Sequence, residues 1–118
     1  MSTRETIERY FDCLREKKQW EAFIADDIAF TNFTSPVKTV AGRDAYLQAT
    51  KRFYSTIASV EVRDLLVDGD RACALTRYEL RPPNGAAAFA SDVAEIFSVA
   101  NDKIASLSIY FDTAPFPK

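Results

Sequence analysis

The chain contains no histidine. That removes the commonest general base, the usual base of a catalytic triad and the commonest zinc ligand. Only 3 glycines are scattered over 118 residues, too few to build a phosphate-cradling loop, and no acidic run has calcium-loop spacing. No metal and no cofactor is therefore expected. A basic surplus is missing as well: 15 Lys and Arg stand against 17 Asp and Glu, net −2, so no nucleic-acid partner is expected. Long apolar runs are absent, which excludes a helical membrane span, and Met1-Ser2-Thr3-Arg4 leads into a helix start rather than a secretory segment. The expected location is cytoplasmic, without a membrane partner. In that setting Cys13 and Cys73 read as reduced packing residues, and the sequon Asn32-Phe33-Thr34 as chance.

What is present has a globular balance, 47% apolar and 27% charged, on a chain of the size of one domain, residues 1–118. Ser2-Thr3-Arg4-Glu5 is a capping box. Behind it Ile7, Tyr10, Phe11 and Leu14 recur at i, i+3, i+4 and i+7, which predicts a helix over residues 3–17. Trp20, Phe23 and Ile24 suggest a short second helix. Asp26-Asp27 opens a strand that places Ile28, Phe30 and Asn32 on one face, and residues 34–41, with Ser35-Pro36, read as a loop. Gly42 precedes a helix over 43–56.

From there the period becomes two. Val60, Val62 and Leu66-Val67 lead to the turn signal Asp68-Gly69; Ala72, Ala74, Thr76, Tyr78 and Leu80 then alternate with Cys73, Leu75, Arg77 and Glu79. After Pro82-Pro83-Asn84-Gly85, one long strand carries Phe89, Ser91, Val93, Glu95, Phe97 and Val99 on a single face. Asn101-Asp102 turns into a last strand with Leu107, Ile109 and Phe111 together. Helices early and a meander late predict an α+β fold with an antiparallel sheet. Several strands are apolar on both faces (Leu75 and Cys73 behind Ala74 and Thr76), so a second copy of the chain is expected to cover the outer one.

The helix with Arg9-Tyr10, the strand entry Ala25-Asp26-Asp27-Ile28-Ala29-Phe30, the helix start Gly42-Arg43-Asp44 and the closing Tyr110-Phe111-Asp112 follow one another over nearly the whole chain. This succession resembles the nuclear transport factor 2-like superfamily, particularly its SnoaL-like and ketosteroid isomerase-like members. The resemblance implies a cone-shaped, strongly curved antiparallel sheet, mixed at its edge, wrapped around the long N-terminal helix. The open end of such a cone receives small apolar ligands, and enzymes and non-enzymes share the scaffold.

The steroid-isomerase pattern needs a tyrosine on the first helix, an aspartate base late in the first strand and a protonated acid on a meander strand. Carried over, with one deletion in the Asn101-Asp102 turn, these roles fall on Tyr10, Asn32 and Glu95. Asparagine takes no proton at neutral pH, so ordinary steroid-isomerase chemistry is not expected. The limonene epoxide hydrolase branch also resembles the closing Tyr-Phe-Asp, but its acid three residues before the Asp falls on Ile109. Its remaining arginine and aspartate fall near Thr76 and Tyr78, or on Arg77 and Glu79 after a slip that exchanges strand faces. Asp112 has parity opposite to Phe111 and reads as structural or interfacial.

The candidate catalytic set is thus Tyr10, Asn32 and Glu95, with Trp20, Phe30, Phe53, Tyr78, Phe97 and Phe111 as candidate ligand-binding residues. If Glu95 is buried, desolvation raises its pKa and keeps it protonated, with Tyr10 near enough to share a hydrogen bond. The competing reading is an ionised Glu95 paired with an arginine at the mouth or a subunit interface. The expected partner is a small hydrophobic ligand or substrate, held in an isomerase- or cyclase-like site. A non-catalytic dimerisation or protein-interaction module is the alternative, and an epoxide-hydrolase-like enzyme a third.

Overall fold

The computed structural model describes residues 1–116. The elements are α1 (Thr3–Glu16), a 3-10 turn (Trp20–Phe23), β1 (Ile24–Asn32), β2 (Lys38–Ala41), α2 (Arg43–Thr56), β3 (Ile57–Asp68), β4 (Arg71–Leu80), β5 (Phe89–Ala100) and β6 (Lys103–Phe111). The capping box forms at α1: the Glu5 N–H donates to Ser2 Oγ and the Ser2 N–H to Glu5 Oε1. The Ser2 N–H first, then the Ser2 hydroxyl, stabilise the charged carboxylate and hold the Glu5 pKa below its usual value. The helix ends where Lys17 turns left-handed (φ 57°) and the N–H of Lys18 donates to Cys13 O.

The six strands form one mixed sheet in the order β2-β1-β6-β5-β4-β3. All neighbours are antiparallel except β1 and β6, which run parallel; β2 and α2 intervene between β1 and the meander that ends in β6. The expected α+β class holds. Register irregularities in β1, in β3 at Ile57/Ser59 and Val62/Asp64, and at Ser98/Val99 bend the strands and curve the sheet. The β5–β6 hairpin turns on Asn101 and Asp102, both at positive φ.

Two sequence expectations need correction. The stretch read as a loop contains β2, a four-residue edge strand paired with β1 from Ala29↔Ala41 to Asn32↔Lys38. Its residues are mostly exposed and have no apolar alternation to betray them. β1 also begins earlier than the aspartates, at Ile24, because this buried residue already pairs with Ile104.

Both helices lie on the concave face. α1 packs on β3 and β4, α2 on β1 and β2. Ile7, Tyr10, Phe11 and Leu14 form the apolar stripe of α1 and meet the inward residues Ala72, Ala74 and Phe97 in one core. On the convex face Leu66, Leu75 and Tyr110 remain 57%, 42% and 51% exposed, and Phe33 stacks on Tyr110 with ring centroids 5.1 Å apart. Cys13 and Cys73 are free thiols. No helix among the described residues is long and apolar enough to cross a membrane.

Candidate functional site

Strand parity places Ser91, Val93, Glu95 and Phe97 of β5 on the concave face. Glu95 is 4% exposed. Both of its hydrogen-bond donors come from β4: the Tyr78 hydroxyl reaches Oε2 at 2.7 Å and the Thr76 hydroxyl reaches the same oxygen at 2.8 Å. Oε1 has no hydrogen-bond partner among the described residues, and Glu95 lines a cavity. Burial pushes the carboxyl pKa up to about 7, against the opposing pull of the Tyr78 and Thr76 hydroxyls. A carboxyl held this way presents an O–H to the cavity when neutral and a bare oxygen when charged.

Beside it lies a chain of phenols. Tyr54 on α2 bonds through its hydroxyl to Tyr10 on α1 (2.7 Å) and to Tyr46, two turns earlier on α2 (2.5 Å). Three hydroxyls carry three protons, and two oxygen–oxygen bonds use two of them. One O–H remains to donate. Tyr46 and Tyr54 line the cavity and Tyr10 does not, so with Tyr10 donating inward the free proton faces the cavity from one of the α2 tyrosines. Burial first, then neighbouring phenols and Glu95, pushes all of these hydroxyls and that of Tyr78 well above the ordinary tyrosine pKa. They stay neutral donors at any physiological pH.

The cavity, about 420 Å³, lies between α2, β1 and the centre of the sheet. Its walls are mostly apolar, as small-molecule sites are. Phe30, Phe53, Tyr78, Phe111, Asn32 and Glu95 all lie on it. Asn32 sits where β1 ends: its Oδ1 accepts from the Thr34 N–H at 2.9 Å, which leaves its amide N–H groups for other partners. Lys38, exposed and opposite Asn32 in the β1–β2 register, is the one cation among the described residues that line the cavity.

Three of the predicted site residues lie elsewhere. Phe97 is fully buried edge-on against Tyr10 and Phe11, in the core beneath the cavity. Trp20 stacks on the far face of Tyr54, centroids 3.9 Å apart, and lines a separate cleft of about 430 Å³. Tyr10 makes its hydrogen bond to Tyr54 and not, as expected, to Glu95, whose donors come from its own sheet. Apolar periodicity marks a buried face and does not separate core from cavity wall, so from sequence alone Phe97 and Trp20 read like pocket residues.

The reading from sequence missed Tyr54, Tyr46, Thr76 and Ser91. The helical spacing of Tyr46 and Tyr54 and the strand parity of Thr76 and Ser91 were available signals, but a shared face does not reveal which hydroxyls meet. The arginine-bearing positions of the epoxide-hydrolase pattern fare differently: Arg77 donates to Asp92 on the convex face, away from the cavity. Asp112 is exposed and accepts from the Ala114 N–H in the turn after β6, a structural role. A larger cleft, about 650 Å³ between α1 and β3, is lined by arginines and acids in balanced number and carries no comparable buried group.

The family model described as "SnoaL-like domain" matches residues 7–107. No curated protein matches the sequence. Among solved structures, a protein from Kribbella flavida is 21% identical with TM-score 0.75, covering 95% of this chain and 88% of that one. A Catenulispora acidiphila protein with a ketosteroid isomerase-like fold, solved with trimethylamine, is 15% identical with TM-score 0.75, covering 94% and 88%. A Jannaschia protein whose provisional name is SnoaL-like polyketide cyclase is 18% identical with TM-score 0.74, covering 98% and 93%. At these identities the likeness speaks for the fold, which is the one expected from the residues.

Proposed function

This chain belongs to the SnoaL-like domain family, and from that premise we propose that it binds a small, largely apolar molecule in the cavity under α2 and polarises an oxygen of it. The observation that carries the reading is Glu95: a buried carboxyl with one oxygen tied to Tyr78 and Thr76 and the other unpartnered on an apolar wall. Below pH about 7 it donates a hydrogen bond, and the spare proton of the tyrosine chain supplies a second donor nearby. Two neutral donors in a desolvated site favour a carbonyl that gains negative charge, as in enolisation or ring closure of a polyketone. Isomerase- or cyclase-like chemistry therefore suits the site better than hydrolysis. Asn32 positions rather than abstracts: its amide donates at the rim, and no carboxylate base stands there.

The test is a titration of protein carrying carbon-labelled Glu and ring-labelled Tyr with a cyclic enone and with a phenol of similar size. Shifts of the Glu95 carboxyl and of Tyr46 and Tyr54, lost in Glu95→Ala, support the reading. Absence of any shift at millimolar ligand overturns it.

The convex face favours a second, compatible proposal. Leu66, Leu75, Tyr110 and Phe33 are large apolar residues exposed on one side of the sheet, a pattern that a homodimer buries. The occupant proposed is a second copy of this chain, with the cavity of each copy opening on the opposite side of its sheet.

A further inference from the structure

Ser91 is fully buried, and its Oγ is the one side-chain polar atom among the described residues that is both fully enclosed and without a hydrogen-bond partner; Glu95 Oε1, also unpartnered, keeps some surface open to the cavity. It lines the same cavity as Glu95. Its cross-strand neighbour Tyr78 does not serve it, because that hydroxyl is committed to Glu95. Thr76, the next residue along β4 on this face, donates to Glu95 and lies 3.1 Å from Val93 O. A buried hydroxyl left without a partner is a cost the fold bears unless something else completes it. The polar side chains among the same-face neighbours of Ser91 are Tyr78 and, diagonally, Thr76, and both hydroxyls already donate to Glu95, so neither offers Ser91 a proton.

From this we infer that Ser91 is a second polar anchor, and that the cavity takes an elongated ligand with a polar group at each end of an apolar body. The inference rests on the ligand-binding reading above and adds the class of ligand. Ser91 and Glu95 lie four residues apart on one face of β5, so their backbones are separated by roughly 13 Å at the ordinary strand rise. Between them stands Val93, and Phe53 and Phe111 line the same cavity. The ligand therefore carries an acceptor oxygen at the Glu95 and tyrosine end and a hydroxyl or carbonyl at the Ser91 end. A serine hydroxyl donates and accepts, so either group completes it. A compact ligand with a single polar group leaves Ser91 as orphaned as it is in the free protein.

The probes are para-phenylphenol and the biphenyl that carries a para hydroxyl on each ring, alike in shape and differing only at the far end. Wild-type protein is expected to bind the diol about tenfold more tightly than the mono-phenol, beyond the statistical factor its symmetry gives. Ser91→Ala is expected to abolish that preference while leaving affinity for para-phenylphenol unchanged, and to leave the Tm of the free protein unchanged or higher. Equal binding of the two probes by wild type, or a preference that survives in Ser91→Ala, overturns the anchor and leaves the ligand-binding reading standing. Failure of wild type to bind either probe overturns both. A lowered Tm of free Ser91→Ala means the hydroxyl is already satisfied inside the protein, and also overturns the anchor.

Discussion

Tyr78 and Glu95 are joined diagonally across β4 and β5: their hydrogen bond is 2.7 Å long, although the register pairs Tyr78 with Ser91 and Glu95 with Ala74. The small side chain of the fully buried Ala74 leaves the space in which the Glu95 carboxyl and the tyrosine ring lean towards each other. One diagonal contact thus has two results. It supplies Glu95 with a donor in an apolar surrounding, and it draws the phenol away from Ser91, its register partner.

The tyrosine chain predicts an ordering of stabilities. Tyr10→Phe removes one terminal hydroxyl, and Tyr54 can still bond to Tyr46, so the loss should be about 1 kcal/mol. Tyr54→Phe removes both bonds and strands the fully buried Tyr10 hydroxyl, at a cost on the order of 2–4 kcal/mol. Urea denaturation of the two variants measures this. Equal losses would mean that the chain is not held through Tyr54.

Asn32 predicts what the protein does not catalyse. Wild type should show no appreciable isomerisation of a standard enone steroid, since an amide takes no proton at neutral pH. Asn32→Asp keeps the acceptor for the Thr34 N–H and gains a carboxylate opposite Lys38, both of which favour the charged form. A positioned general base contributes roughly a hundredfold or more, so the variant should exceed wild type by about that factor on a substrate the cavity admits. Efficient turnover by wild type in a direct spectrophotometric assay would show that the roles given to Asn32 and Glu95 are wrong.

How far these residues were legible beforehand depends on whether a local rule reports on them. Ser2 and Glu5 announce α1 because capping is a contact within four residues. The parity of β5 puts Glu95 inward because a strand has period two. The pairing of Tyr54 with Tyr10 spans 44 residues and follows from where α1 and α2 are seated on the sheet, which no local period encodes. β2 escaped because four mostly exposed residues become a strand only through their partner β1. The partition of aromatic residues between core and cavity is likewise tertiary: Phe97 and Phe111 share a face of the sheet, yet only the second borders the cavity.

The convex face predicts an oligomeric state that one substitution reverses. Sedimentation should find wild type dimeric at micromolar concentration, and Leu75→Lys monomeric with its circular dichroism unchanged, since Leu75 is 42% exposed on the free chain. A charge at the centre of an interface is strongly disfavoured, whereas on a free surface it is tolerated within about 0.5 kcal/mol. A monomeric wild type would leave the apolar face unexplained and remove the dimer.

Glu95 predicts how stability depends on pH. Its folded pKa is raised to about 7 from an ordinary value of 4.5, burial being the cause, so the native state binds this proton more tightly than the unfolded chain does. The resulting relative stabilisation is complete below the unfolded value and is lost as pH rises through the folded one. Stability should therefore fall between pH about 4.5 and about 7, and then level off, the total change being on the order of 3 kcal/mol. Glu95→Gln removes the titration and keeps an acceptor for Tyr78 and Thr76, so its stability should be flat across this window and above wild type at pH 8. Glu95→Ala lacks that acceptor, leaves the buried Tyr78 hydroxyl without its partner, returns Thr76 to Val93 O and opens a hole, so it should be destabilised on both sides of the window. Urea denaturation at a series of pH values, with a carbon-detected titration of the Glu95 carboxyl, separates these cases. An ionised, paired glutamate would titrate at or below the ordinary value, and Glu95→Gln would then lose stability at pH 8 instead of gaining it.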